Sequence, residues 1–121
     1  MAADSDSDGI RRRLSERRAL TVDRIDALSR EFDGVVDASA DVATDDEHDP
    51  EGATIAFERA RVAALLDQAR GQLLDVDAAL RQVQRGDYGV CTSCGQPIPV
   101  ARLEALPATR TCVNCASGRR R

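Results

Sequence analysis

Apolar residues between positions 53 and 85 recur every seventh position. Ile55, Val62, Ala69, Val76 and Val83 form one series, and Leu66, Leu73 and Leu80 interleave with it. From Val62 to Val83 the two series alternate steps of four and three, which is the seam of a coiled coil. A weaker stripe precedes it. Leu14, Ile25, Leu28, Phe32 and Val35 fall at helical spacing between Ile10 and about Val36, although Arg18 and Thr21 stand where seam residues belong. Residues 37–52 lose all periodicity and gather Asp, Ser, Thr, Pro and Gly, which predicts a connection.

An amphipathic helix needs a partner for its apolar stripe, and no sheet or third long helix is predicted to provide one. The economical solution is an antiparallel hairpin within one chain, with Leu66, Leu73 and Leu80 facing Ile25, Leu28 and Phe32. A dimer along the same heptad is the alternative; the monomer is favoured. About 30 residues of helix extend roughly 45 Å, so the hairpin is expected to be a finger with residues 37–52 at its tip. Gly86 follows the last heptad and suits a helix C′ position. Residues 1–9 are rich in Asp and small residues and are expected to be disordered.

Beyond the hairpin, the four cysteines Cys91, Cys94, Cys112 and Cys115 form the pattern C-x2-C-x17-C-x2-C. Two C-x-x-C pairs at this separation predict one tetrahedral four-thiolate zinc site. Gly95 can take the backbone out of the first turn, and Pro99 to Pro107 can supply a short helix between the pairs. Two disulfides or a redox C-x-x-C are the competing readings. No βαβ pattern and no signal peptide accompany the pairs, which favours zinc. His48 lies far away in sequence and no further Cys exists, so the metal is expected to stabilise the fold rather than to catalyse.

Composition narrows the function. The 121 residues contain two Phe, one Tyr and no Trp, too little for a large globular core but enough for a helix seam with a metal staple. No apolar run approaches ~20 residues, so no membrane span is expected. A net charge of −4 argues against strong direct nucleic-acid binding, and the scarcity of aromatics removes stacking platforms. Charge is concentrated in residues 37–51, where Asp37, Asp41, Asp45, Asp46, Glu47, Asp49 and Glu51 meet no Arg.

The segment Gly86-Asp87-Tyr88-Gly89-Val90-Cys91-Thr92-Ser93-Cys94-Gly95, with Ile98, Arg102-Leu103-Glu104-Ala105, Pro107 and Cys112-Val113-Asn114-Cys115, resembles the DksA/TraR family of bacterial transcription regulators. With the coiled coil, the resemblance covers roughly residues 10 to 116. It implies a mainly α protein: an antiparallel coiled-coil hairpin followed by a small four-cysteine zinc finger. It further implies that the coiled coil enters the secondary channel of RNA polymerase and presents acidic tip residues there. The family's tip motif is Asp-x-x-Asp-x-Ala; Asp46 and Asp49 match it, while Glu51 stands in the alanine's place and Pro50 restricts the backbone beside it.

The expected organisation is therefore a disordered segment 1–9, a hairpin 10–86 with an acidic tip at 37–52, a zinc module 87–116 and a basic tail 117–121. The expected function is a cytoplasmic transcription regulator that binds RNA polymerase by protein contact, with one structural zinc. A coiled-coil assembly module is the first alternative and a DNA-binding zinc finger the second. No nucleophile–base set is visible, so no enzyme is expected.

Overall fold

A computed structural model of the chain describes the backbone of residues 2–40 and 50–118, with side chains for 7–38 and 52–118. Four helices follow in order: α1 (Ala2–Ala40), α2 (Pro50–Arg85), α3 (Val100–Ala105) and α4 (Val113–Ala116). No strand occurs among the described residues; Val90 and Pro97 form an isolated antiparallel bridge. The fold is the expected one, mainly α, with a helical hairpin leading into a four-cysteine module.

Both long helices outrun their sequence patterns. α1 begins at Ala2, whereas residues 1–9 were expected to be disordered. Ile10, two turns into α1, packs on a buried core and anchors this end of the helix. At the other end Ala38 and Ala40 are strong helix formers and extend α1 beyond the expected limit near Val36. α2 starts at Pro50, a residue suited to a first helical position because its missing N–H is not needed there. Of the expected connection 37–52, residues 37–40 therefore belong to α1 and 50–52 to α2, and residues 41–49 lie outside the described residues.

α2 ends as the sequence predicts. Gly86 adopts φ 87°. Its N–H donates to the Val83 carbonyl at 3.2 Å and that of Asp87 to the Gln82 carbonyl at 3.0 Å. These two bonds are a Schellman closure, which satisfies carbonyls that the last turn leaves open.

The chain divides into two compact units. The first unit comprises Met1–Leu20 and Gln72–Arg121. Its core is Leu14, Ala79 and Val83, with half-buried Ile10, Leu80, Tyr88 and Ala108 packed against it. α1 and α2 run antiparallel here, and Arg18 donates to Asp77 at 2.6 Å beside the seam. The second unit is Thr21–Gly71. Leu28, Val62, Leu66 and Ala69 form its core, with Ile25, Phe32 and Leu65 at the edge. The helices are antiparallel in this unit too, with Arg61 bridging Glu31 at 3.2 Å and Glu58 at 3.0 Å.

The expected facing of the leucine series holds in one place of three. Leu66 packs with Ile25, Leu28 and Phe32. Leu80 instead packs on the Leu14 core, and Leu73 is only half-buried and belongs to neither core. The antiparallel register carries Leu80 past Ile25 to the opposite end of α1. The two residues that weakened the first stripe are both absorbed: Thr21 is buried in the seam, and Arg18 turns outward into its ion pair.

Candidate metal centre

Tight backbone turns bring the cysteines together. In the first knuckle, Gly95 takes φ 77°. Its N–H donates to the Cys91 carbonyl at 2.9 Å, and the Cys91 N–H donates to the Gln96 carbonyl at 2.8 Å. A residue with a Cβ would be strained at this φ, which is why glycine follows the second cysteine. Ile98 then donates to the Gly89 carbonyl at 2.7 Å and buries its side chain. In the second knuckle, Cys112 caps α4, and its carbonyl accepts from the Ala116 N–H at 2.9 Å.

Cross-links hold the knuckles against each other. The Thr92 N–H and hydroxyl both donate to the Arg110 carbonyl, at 2.8 and 3.2 Å. Arg102 on α3 donates through Nε to the Thr111 carbonyl at 2.9 Å. The Tyr88 hydroxyl donates to the Pro107 carbonyl at 2.7 Å, while its ring packs on the Leu14 core. Burial pushes the Tyr88 phenol above its ordinary value, and nearby Arg13 opposes that shift. Arg110 reaches back to Asp75 of α2 at 3.1 Å. The module thus has a polar frame and a small apolar foot rather than a core of its own.

The four sulfurs all lie within 4.8 Å of one another, and the Cys94 and Cys112 sulfurs are 3.8 Å apart. Four sulfurs about 2.3 Å from one zinc at tetrahedral angles stand about 3.8 Å apart, so the cluster has the size of a zinc-tetrathiolate site. The cysteines are free thiols, which disfavours the disulfide alternative. Cys91 is buried and Cys94 exposed, with Cys112 and Cys115 between these extremes.

The thiols are not equivalent. The backbone N–H of Cys112 donates to the Cys91 sulfur at 3.3 Å. That bond and further donors from its own turn hold the Cys91 thiol down to about 6, against the opposing effect of burial. Burial, with the neighbouring thiols, pushes Cys115 up to about 12. A dication resolves this conflict by stabilising all the thiolates at once. A four-sulfur set leaves no coordination position for substrate or water, so it supports the fold.

Sequence spacing located these four residues. It missed the Cys112 N–H to Cys91 bond, the Thr92–Arg110 bracket and the Tyr88–Pro107 bond. All three join positions eighteen or more residues apart. Asp46, Asp49 and His48 lie outside the described residues. Among the described residues the four cysteines are the one cluster able to hold a metal, and no helix is long and apolar enough to cross a membrane.

The sequence profile of the prokaryotic DksA/TraR C4-type zinc finger matches residues 86–121. The uncharacterized protein YteA of Bacillus subtilis is 35% identical over 81 residues, covering 67% of this chain and 34% of its own. The RNA polymerase-binding transcription factor DksA of Caulobacter vibrioides is 49% identical over 41 residues, or 34% of this chain and 29% of its own. The chain thus spans about a third of the length of these curated relatives. The solved structure of transcription factor DksA2 from Pseudomonas aeruginosa matches with a TM-score of 0.75 at 24% identity, covering 95% of this chain and 83% of the other, a likeness of fold. The converging thiols and the C4-type match together establish one structural zinc site.

Proposed function

The chain belongs, through residues 86–121, to the DksA/TraR zinc-finger family, and from that premise we propose that it is a transcription regulator that binds RNA polymerase by protein contact. The observation that carries the reading is the pairing of this zinc finger with an antiparallel helical hairpin immediately before it in the chain. The relatives whose names state polymerase binding match over 41 to 49 residues of this chain, and the DksA2 likeness, which covers 95% of it, is one of fold alone.

In the finer form of the proposal, the hairpin enters the secondary channel of the polymerase and presents Asp46 and Asp49. The zinc module, with Cys91, Cys94, Cys112 and Cys115 as ligands, supplies a rigid base. A hairpin of two helices is narrow enough for a channel that a globular domain cannot enter. Carboxylates carried there perturb metal or substrate binding, because charges act more strongly in a low-dielectric site than in water.

The test uses purified polymerase and a promoter template. Asp46→Asn with Asp49→Asn is expected to keep polymerase affinity within about threefold, since exposed charges contribute little to binding, and to abolish the change in transcript yield. If the double variant regulates as the parent does, the acidic segment is only a solvated loop. A parent without polymerase affinity overturns the proposal and leaves the assembly-module reading.

A further inference from the structure

The unit Thr21–Gly71 carries an open groove of about 260 Å³ on one side of its helix pair. Its floor is apolar: Leu66 is buried beneath, and Phe32 and Ala63 are half-buried and reach the surface. Asp33 and Asp67, both exposed, follow Phe32 and Leu66 in sequence and line the same groove with Arg70.

The charges on this rim are left unanswered. Where α1 meets α2 in the same unit, Glu31 finds Arg61 at 3.2 Å. Asp33, Asp67 and Arg70 make no ion pair among the described residues. Asp33 and Asp67 outnumber Arg70 on this rim, and a cationic side chain beside them complements the excess negative charge. The groove is smaller than the roughly 300–1,000 Å³ of small-molecule pockets, and suits one large side chain rather than a whole ligand. A groove between two helices with an apolar floor matches the helix-in-groove mode of recognition.

We propose that this groove docks a cationic amphipathic helix of a partner protein. One apolar side chain of that helix covers Phe32, Ala63 and Leu66, and its arginines or lysines meet Asp33 and Asp67. Arg70 meets an acceptor at the end of the contact. The inference goes beyond the polymerase reading and stands without the tip: it fixes the chemistry of an occupant for a different part of the chain.

The test uses the whole zinc-loaded chain and a labelled designed helical peptide with leucines at i, i+4 and i+7 flanked by arginines. A second peptide carries glutamates in place of the arginines. The arginine peptide is expected to bind about tenfold tighter than its glutamate counterpart, as charge complementarity requires. Ala63→Leu fills the groove without changing charge, and Asp33→Asn with Asp67→Asn neutralises the rim. Each is expected to weaken binding about tenfold with helix content unchanged, while Asp45→Asn with Glu47→Gln in the acidic segment changes it less than about twofold.

Equal loss in the Asp45/Glu47 variant means bulk attraction and overturns the proposal, as does parental affinity in Ala63→Leu. If a groove variant fails to fold, amide shifts of the parent on titration decide: they must centre on residues 29–33 and 63–70. A concentration-dependent dimer that Ala63→Leu dissolves makes the occupant a second copy and overturns the proposal too.

Discussion

Leu14→Ala tests whether the zinc module and the helices share one core. Leu14 has no solvent exposure and packs with Ala79 and Val83 of α2 and with Tyr88 and Ala108 of the module. The substitution removes three buried carbons, about 2.4 kcal/mol at roughly 0.8 kcal/mol per methylene. A cavity adds to this, and Leu→Ala changes at buried sites cost about 2.7–5.0 kcal/mol. Ile10, Leu80 and Tyr88 are only half-buried and can shift into the space. The expected loss is therefore near the lower end, about 3 kcal/mol, which lowers the melting temperature on the order of 10–20 °C for a unit of this size.

Urea and thermal unfolding followed by helical circular dichroism provide the measurement, in excess zinc and again after chelation. Leu20→Ala is the control; Leu20 is 71% exposed, and its loss should stay within about 0.5 kcal/mol. Chelation should free Tyr88 and Ala108 from the core and reduce the Leu14→Ala cost by at least about 0.5 kcal/mol, the lower end of couplings between touching groups. A cost below about 1 kcal/mol in zinc, or an identical cost with and without zinc, would refute the shared core.

Three further outcomes follow from the metal centre and its frame. Cys112→Ser should lose zinc, read by elemental analysis, and open residues 88–116 to protease, because metal-binding energy here is folding energy; full loading of the variant contradicts four-thiolate ligation. Zinc binding at neutral pH should release protons, since Cys115 is pushed up to about 12 and must give up its proton to become a ligand. Zinc affinity therefore rises with pH, and titration calorimetry in buffers of different ionisation enthalpy counts the protons; a pH-independent affinity contradicts this. Tyr88→Phe removes the 2.7 Å bond to the Pro107 carbonyl and should cost about 0.5–1.5 kcal/mol in a zinc-loaded melt.

The sequence alone determined that two long helices form, where α2 ends, and which four thiols converge. Heptad spacing is a local property of a helix, Gly86 and Gly95 are local requirements of their backbone, and C-x-x-C is a local turn. Tertiary structure decided what those elements meet. The antiparallel register sends Leu80 to Leu14 rather than to Ile25, leaves Leu73 half-exposed and buries Thr21 where the pattern had a polar defect. The extension of α1 back to Ala2 depends on its Ile10 turn finding that core, which the aspartates before it do not announce. The bonds that frame the zinc site join Tyr88 to Pro107 and Cys112 to Cys91. They depend on distances set only after both knuckles have closed, and no periodicity along the chain encodes a contact between separate turns.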